Sequence, residues 1–129
     1  MTDSPLKVLY VEDEPDIRMV GKRSMASIGK FEVKECASGD EAIKAVGEFT
    51  PDVIVLDVMM PFMNGPEVMK ELRKLPVTMN TPVIFMTAKV QTSEINEYMA
   101  MGAIGVIAKP FEPMTLAKQI SDMVKQTKA

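Results

Sequence analysis

Five positions carry side chains able to do chemistry, and each stands at or just after the end of an apolar run. Glu12 and Asp13 follow Leu6–Val11 (LKVLYV), and Asp57 follows Val53–Leu56 (VIVL). Thr87 follows Pro82–Met86, and Lys109 follows Ala103–Ala108. Three carboxylates brought together repel one another, so such a site needs a compensating cation or raised pKa values. A hard divalent ion with oxygen ligands meets that need. Mg2+ suits a few carboxylates completed by waters and a phosphoryl oxygen. A carboxylate beside such an ion can attack phosphorus and form an acyl phosphate. A lysine ammonium and a threonine hydroxyl suit the incoming phosphoryl oxygens by charge and hydrogen bond. The chain contains no histidine, which excludes imidazole-ligated metals, Ser-His-Asp and Cys-His catalysis, and any phosphohistidine formed on this chain.

Taken singly, each residue has a bland reading. An aspartate after an apolar strand is a turn or capping residue, and acids at a helix start are favoured by its dipole. Thr87 simply ends a strand, and Lys109 is a surface lysine. The elements decide between the two readings. Strand-like runs at Leu6–Val11, Phe31–Cys36, Val53–Leu56, Pro82–Met86 and Ala103–Ala108 alternate with amphipathic stretches. The first helix spans Pro15–Ile28, with Ile17, Val20, Ser24 and Ile28 on its inward face and Gly29 as a stop. Ser38 and Glu41 have capping-box spacing and open a second helix that buries Ala42, Ile43 and Val46. Three more helices read as Pro66–Leu75, Glu94–Met101 and Met114–Gln126. Phe31–Cys36 is the more polar strand and reads as an edge, whereas Val53–Leu56 is apolar throughout, as in a sheet covered on both faces. Five such β-then-α units imply right-handed crossovers and an α/β, doubly wound, five-stranded parallel sheet. Ligands of that architecture sit outside the carboxyl ends of the strands, where four of these strands deliver the chemical groups.

Composition bounds the rest. A length of 129 residues, 47% of them hydrophobic, fits one domain over residues 1–129 with a core at about residues 6–126. One cysteine makes no internal bridge and suits a reducing compartment; Cys36 reads as a small buried hydrophobe. Fifteen basic against eighteen acidic residues, without a basic block, give no electrostatic case for nucleic acid or membrane. Met1–Lys7 is polar and is no signal peptide, and the longest apolar run, Val53–Met63, is too short to span a bilayer. The expectation is a cytoplasmic protein.

At this point the chain resembles the receiver domains of two-component response regulators, and its layout is similar to the single-domain chemotaxis type. The resemblance rests on Glu12-Asp13, on Asp57-Val58-Met59-Met60-Pro61 with Asn64-Gly65, on Thr87-Ala88 and on Lys109-Pro110-Phe111. It covers about Leu6 to Val124, and it implies the flavodoxin-like strand order 2-1-3-4-5. It implies that Asp57 is the phosphoacceptor and that Asp13, Asp57 and the backbone carbonyl of Met59 hold Mg2+, with Glu12 acting through a metal-bound water. It further implies that Lys109 pairs with the phosphoryl group, that Thr87 moves to hydrogen-bond it, and that Lys109-Pro110 is cis. The partner implied is a sensor histidine kinase or a histidine phosphotransfer protein. The chain would then be a stoichiometric acceptor with slow self-dephosphorylation, not an enzyme in the turnover sense, and a monomer or weak dimer.

Relatives of this kind commonly carry an aromatic residue three positions before the lysine, and here Val106 stands there. Valine cannot swing a ring, so switching near the fourth helix and fifth strand must differ or run through the backbone. Met59 and Lys89 stand two residues after Asp57 and Thr87, positions that in such relatives flank the attacking water. Met59, Met60, Met63, Met99 and Met101 read either as core filler or as an adaptable contact surface. About twenty residues follow Lys109, enough for the last helix, so the expectation is a single receiver domain without an output domain. Output then runs through an unidentified protein target or onward phosphotransfer. A receiver fragment of a larger regulator or hybrid kinase is the alternative. An Asp-nucleophile phosphohydrolase is a remote one, because Met59 replaces the second aspartate of that family. A flavodoxin-like nucleotide or flavin module lacks its glycine-rich phosphate loop here.

Overall fold

The computed structural model describes residues 5–128. Residues 1–4, which open the stretch read above for a signal peptide, and Ala129 at the domain's far end lie outside them. The chain runs β1 (Lys7–Val11), α1 (Pro15–Arg23), a π-helical turn (Ser24–Ile28), β2 (Glu32–Cys36) and α2 (Gly39–Ala45). It continues as β3 (Val53–Asp57), α3 (Gly65–Leu72), β4 (Val83–Thr87), α4 (Thr92–Ala100), β5 (Gly105–Ala108) and α5 (Leu116–Lys128). The strands form one sheet in the order β2-β1-β3-β4-β5, and every pairing is parallel.

Two cores follow from the pleat, because successive strand residues face opposite sides. Leu9, Val11, Ile54, Leu56, Val83 and Phe85 pack with Ala42 of α2, with Val46 just past its end, and with Val68 and Leu72 of α3. Val8, Tyr10, Val55, Ile84, Met86 and Ile107 pack with Met25 and with Leu116, Ile120 and Val124 of α5. Each such aliphatic side chain taken fully from water contributes about 2 kcal/mol. Strands β3 and β4 are buried along their whole length. β2 lies at the edge and alternates exposed with half-buried residues, as its polarity predicts. Cys36 is buried, as expected.

The first helix corrects the sequence pattern. It ends as an α-helix at Arg23 and continues through the π turn, instead of running unbroken to Ile28. Gly21, Ser24 and Met25 are buried, while Val20 and Ile28 are 40% and 45% exposed. The wider π turn changes which residues point at the sheet, bringing Met25 inward in place of Ile28. Gly21 is the close-approach point, since a Cβ there would collide with the Tyr10 hydroxyl on β1. The capping box at α2 is also altered. Ser38 Oγ accepts from the Glu41 amide, but the Glu41 carboxylate takes the Ala37 amide in place of that of Ser38. A full capping box forms at α3, between Asn64 and Glu67. Among the described residues no helix is long and apolar enough to cross a membrane.

Candidate functional site

Four strands deliver the five expected side chains to the carboxyl edge of the sheet. Glu12 directly follows β1, and its amide donates to the Cys36 carbonyl at 3.0 Å, extending the β1–β2 ladder by one residue. Asp57 and Thr87 are the last residues of β3 and β4. Lys109 directly follows β5, and its amide donates to the Thr87 carbonyl at 3.0 Å. The side chains of Glu12 and Asp57, separated by 45 residues in the chain, thus hang from adjacent paired strands.

Lys109 Nζ joins the two, donating to Glu12 Oε1 at 3.0 Å and to Asp57 Oδ1 at 3.1 Å. Glu12 is 0% and Asp57 2% exposed, so this ion pairing is screened little by solvent. Burial pushes the Glu12 carboxyl up to about 7, with the Asp57 charge adding, against the hydrogen bonds from Lys109 and the Glu14 amide. Burial likewise raises Asp57, although Lys109 opposes it. Burial pulls Lys109 down, but its bonds to Glu12 and Asp57 outweigh this and the net shift is upward. One lysine does not satisfy three carboxylates.

The remaining demand is visible at Asp13. Its Oδ1 is buried without a hydrogen-bond partner. One carboxylate oxygen from each of Glu12, Asp13 and Asp57 lies within 4.8 Å of the other two. A buried, unpartnered carboxylate oxygen facing an excess of like charge fits a hard divalent cation such as Mg2+. Met59, whose backbone carbonyl is the other expected ligand, lies in the β3–α3 loop with its side chain 63% exposed. Thr87 is buried, and its Oγ1 accepts from the Lys89 amide at 3.0 Å. The Lys109–Pro110 bond is cis. Val106 is half-buried on β5, and the Tyr98 ring of α4 packs on Phe85 of β4 at 5.2 Å between centroids.

Two contributors were not assigned roles from the sequence. Gly65 stands in the sequence only as part of the Asn64-Gly65 motif, yet a Cβ there would stand 2.7 Å from the Asp57 carbonyl oxygen. That close approach is what lets α3 start directly beneath the end of β3. Arg18 on α1 reaches the backbone of the acidic loop, donating from Nη1 to the Glu12 carbonyl at 2.8 Å. No local pattern signals that contact. Beside Lys109 an apolar groove of about 490 Å3 opens between α1 and the β5–α5 loop, lined by Ile17, Val20, Ala88, Pro110 and Phe111.

Comparison with known proteins concerns the fold and the family. The family profile described as the response regulator receiver domain matches residues 8–121. The chain is 31% identical over 119 residues to the chemotaxis protein CheY of Thermotoga maritima, covering 92% of this chain and 98% of that one. It is 34% identical over 122 residues to the phosphate regulon transcriptional regulatory protein PhoB of Rhizobium meliloti, covering 95% of this chain and 53% of that protein. The chain spans about half the length of the first curated relatives it matches. The solved structure of the chemotaxis response regulator CheY4 of Vibrio cholerae superposes with a TM-score of 0.85 at 33% identity, covering 93% of this chain and 99% of that one.

Proposed function

The chain belongs to the response regulator receiver family, and we propose that it accepts a phosphoryl group on Asp57 from a phosphohistidine of a partner protein. One observation carries the reading. Lys109 bridges Glu12 and Asp57 while Asp13 Oδ1 stays unpartnered among the same carboxylates. Asp13 and Asp57, with the Met59 carbonyl, would hold Mg2+, and Glu12 would act through a bound water. When present, the ion neutralises the carboxylates and the oxygens of the transferring group.

An Asp57 carboxylate oxygen attacks phosphorus in line. The P–O bond forms as the donor's P–N bond breaks, and the imidazole nitrogen leaves with the electron pair and is protonated. Lys109, already 3.1 Å from Asp57 Oδ1, offers its charge to the phosphoryl oxygens. Thr87 Oγ1 accepts from the Lys89 amide, which leaves the hydroxyl proton for a phosphoryl oxygen. Drawing Thr87 and Lys109 toward the new dianion shifts a pre-existing equilibrium of the surface formed by α4 and β5. Half-buried Val106 has no ring to swing, so this shift runs through backbone and loop.

The chain is then a stoichiometric, cytoplasmic acceptor that signals by protein contact or by onward phosphotransfer. The test is transfer from a labelled histidine kinase or histidine phosphotransfer protein. Label leaves the donor and appears on this chain in a Mg2+-dependent manner, and Asp57→Asn receives none. Label retained by a panel of active donors refutes the reading.

A further inference from the structure

Arg18 contacts no carboxylate of the site, yet it is bonded to the backbone of both acidic residues in the loop between β1 and α1. Nη1 donates to the Glu12 carbonyl at 2.8 Å and, more weakly, to that of Asp13 at 3.4 Å. Nε donates to Glu35 Oε1 at 3.2 Å, and Lys22 Nζ takes the other Glu35 oxygen at 2.8 Å. The Lys22 hydrogen bond, with that of Arg18, holds the Glu35 carboxyl below the usual range, so the brace stays ionised. Arg18 therefore ties the acidic loop to strand β2, which lies beside β1 in the sheet.

A planar guanidinium can serve a carbonyl pair and a carboxylate at once, which an ammonium cannot do with the same geometry. The Asp13 carboxylate has an unpartnered oxygen, so no hydrogen bond to that oxygen orients it. The backbone from which it projects is the part that Arg18 grips. Groups that orient a ligand from outside the coordination sphere are known to set metal affinity.

We propose that Arg18, braced by Glu35, is a positioning residue that fixes the Glu12–Asp13 backbone for divalent-cation binding. The inference rests on the Mg2+-dependent acceptor reading above. Charge acts in the opposite direction, since a nearby guanidinium repels a cation. Two substitutions separate position from charge. Arg18→Lys keeps the charge and loses the fork; Arg18→Gln loses both.

The readout is the Mg2+ dissociation constant of the folded full chain, from amide shifts or calorimetry. Both Arg18 variants are expected to bind Mg2+ roughly tenfold more weakly, the lower end of what such outer contacts contribute. Glu35→Gln, a mild change at a partly exposed position, weakens binding by a smaller factor and carries the test alone where an Arg18 variant does not fold. A role confined to stability shifts the urea midpoint and leaves the dissociation constant unchanged, which overturns the proposal. Tighter binding in Arg18→Gln with no change in Arg18→Lys overturns it too. Saturable binding by the wild type alongside unaltered variants removes this inference alone. No saturable response in the wild type removes the acceptor reading with it.

Discussion

Raising the pH destabilises this protein when divalent cations are withheld, the reverse of the behaviour of an ordinary paired carboxylate. Glu12 is the reason. Burial, with the Asp57 charge adding, pushes its carboxyl from 4.5 up to about 7. The folded chain thus keeps a proton on Glu12 where the unfolded chain has lost it. With fewer protons on the unfolded state, the unfolding free energy falls as pH rises from about 4.5 to about 7, then levels off. Asp57, also raised by burial, adds a contribution of the same sign. Lys109, itself raised, stays protonated across the window and adds no slope. At about 1.36 kcal/mol per pH unit, the Glu12 displacement corresponds to a ceiling of order 3 kcal/mol. The assay is urea unfolding from about pH 5 to about pH 8 in chelator, for wild type and Glu12→Gln. The wild type loses a large part of that ceiling, and the variant keeps most of its stability. Saturating Mg2+ favours the ionised carboxylates and removes the loss. Parallel pH profiles for the two proteins, or a wild type that gains stability with pH, refute the reasoning.

Other outcomes follow from single contacts. Gly65→Ala sets a methyl 2.7 Å from the Asp57 carbonyl oxygen and 3.0 Å from Val58 Cα, both backbone atoms. It lowers stability in urea unfolding by about 1–3 kcal/mol and slows acetyl phosphate labelling of Asp57. Phe62 is fully exposed with φ of 69°, so Phe62→Asn relieves left-handed strain without losing packing. It raises stability by roughly 0.5–1 kcal/mol, and a net loss in urea unfolding contradicts this. Beryllofluoride at Asp57 shifts amides across residues 94–106 less widely than in relatives with an aromatic ring at the position of Val106. NMR shifts as widespread as theirs contradict the backbone route.

The sheet was legible because its strands are short apolar runs and the helices between them keep a helical stripe. Glu12, Asp13, Asp57, Thr87 and Lys109 were legible because each stands at a strand end, so topology alone gathers them. The face of α1 was not legible. Val20 and Ile28 have the right spacing for a straight helix, but the π turn at Ser24 and the Tyr10 ring beneath Gly21 decide which residues are buried. The Arg18–Glu35 contact links two elements that are charged on their exposed sides, and nothing local distinguishes it from an ordinary surface pair. The Asn64-Gly65 motif does not reveal the neighbour of Gly65, because the clash it avoids lies with the end of β3. Phe62 carries no sequence sign of its left-handed backbone, a conformation that glycine or asparagine would ordinarily announce.

The proposed role of Asp57 is that of a phosphoacceptor whose chemistry depends on a divalent cation. Intact mass after incubation with acetyl phosphate, with and without Mg2+, tests it most directly. The expected result is a gain of one phosphoryl group that requires Mg2+ and is absent in Asp57→Asn. A gain that persists in Asp57→Asn, or rapid multiple turnover of phosphomonoesters without a stable adduct, contradicts it.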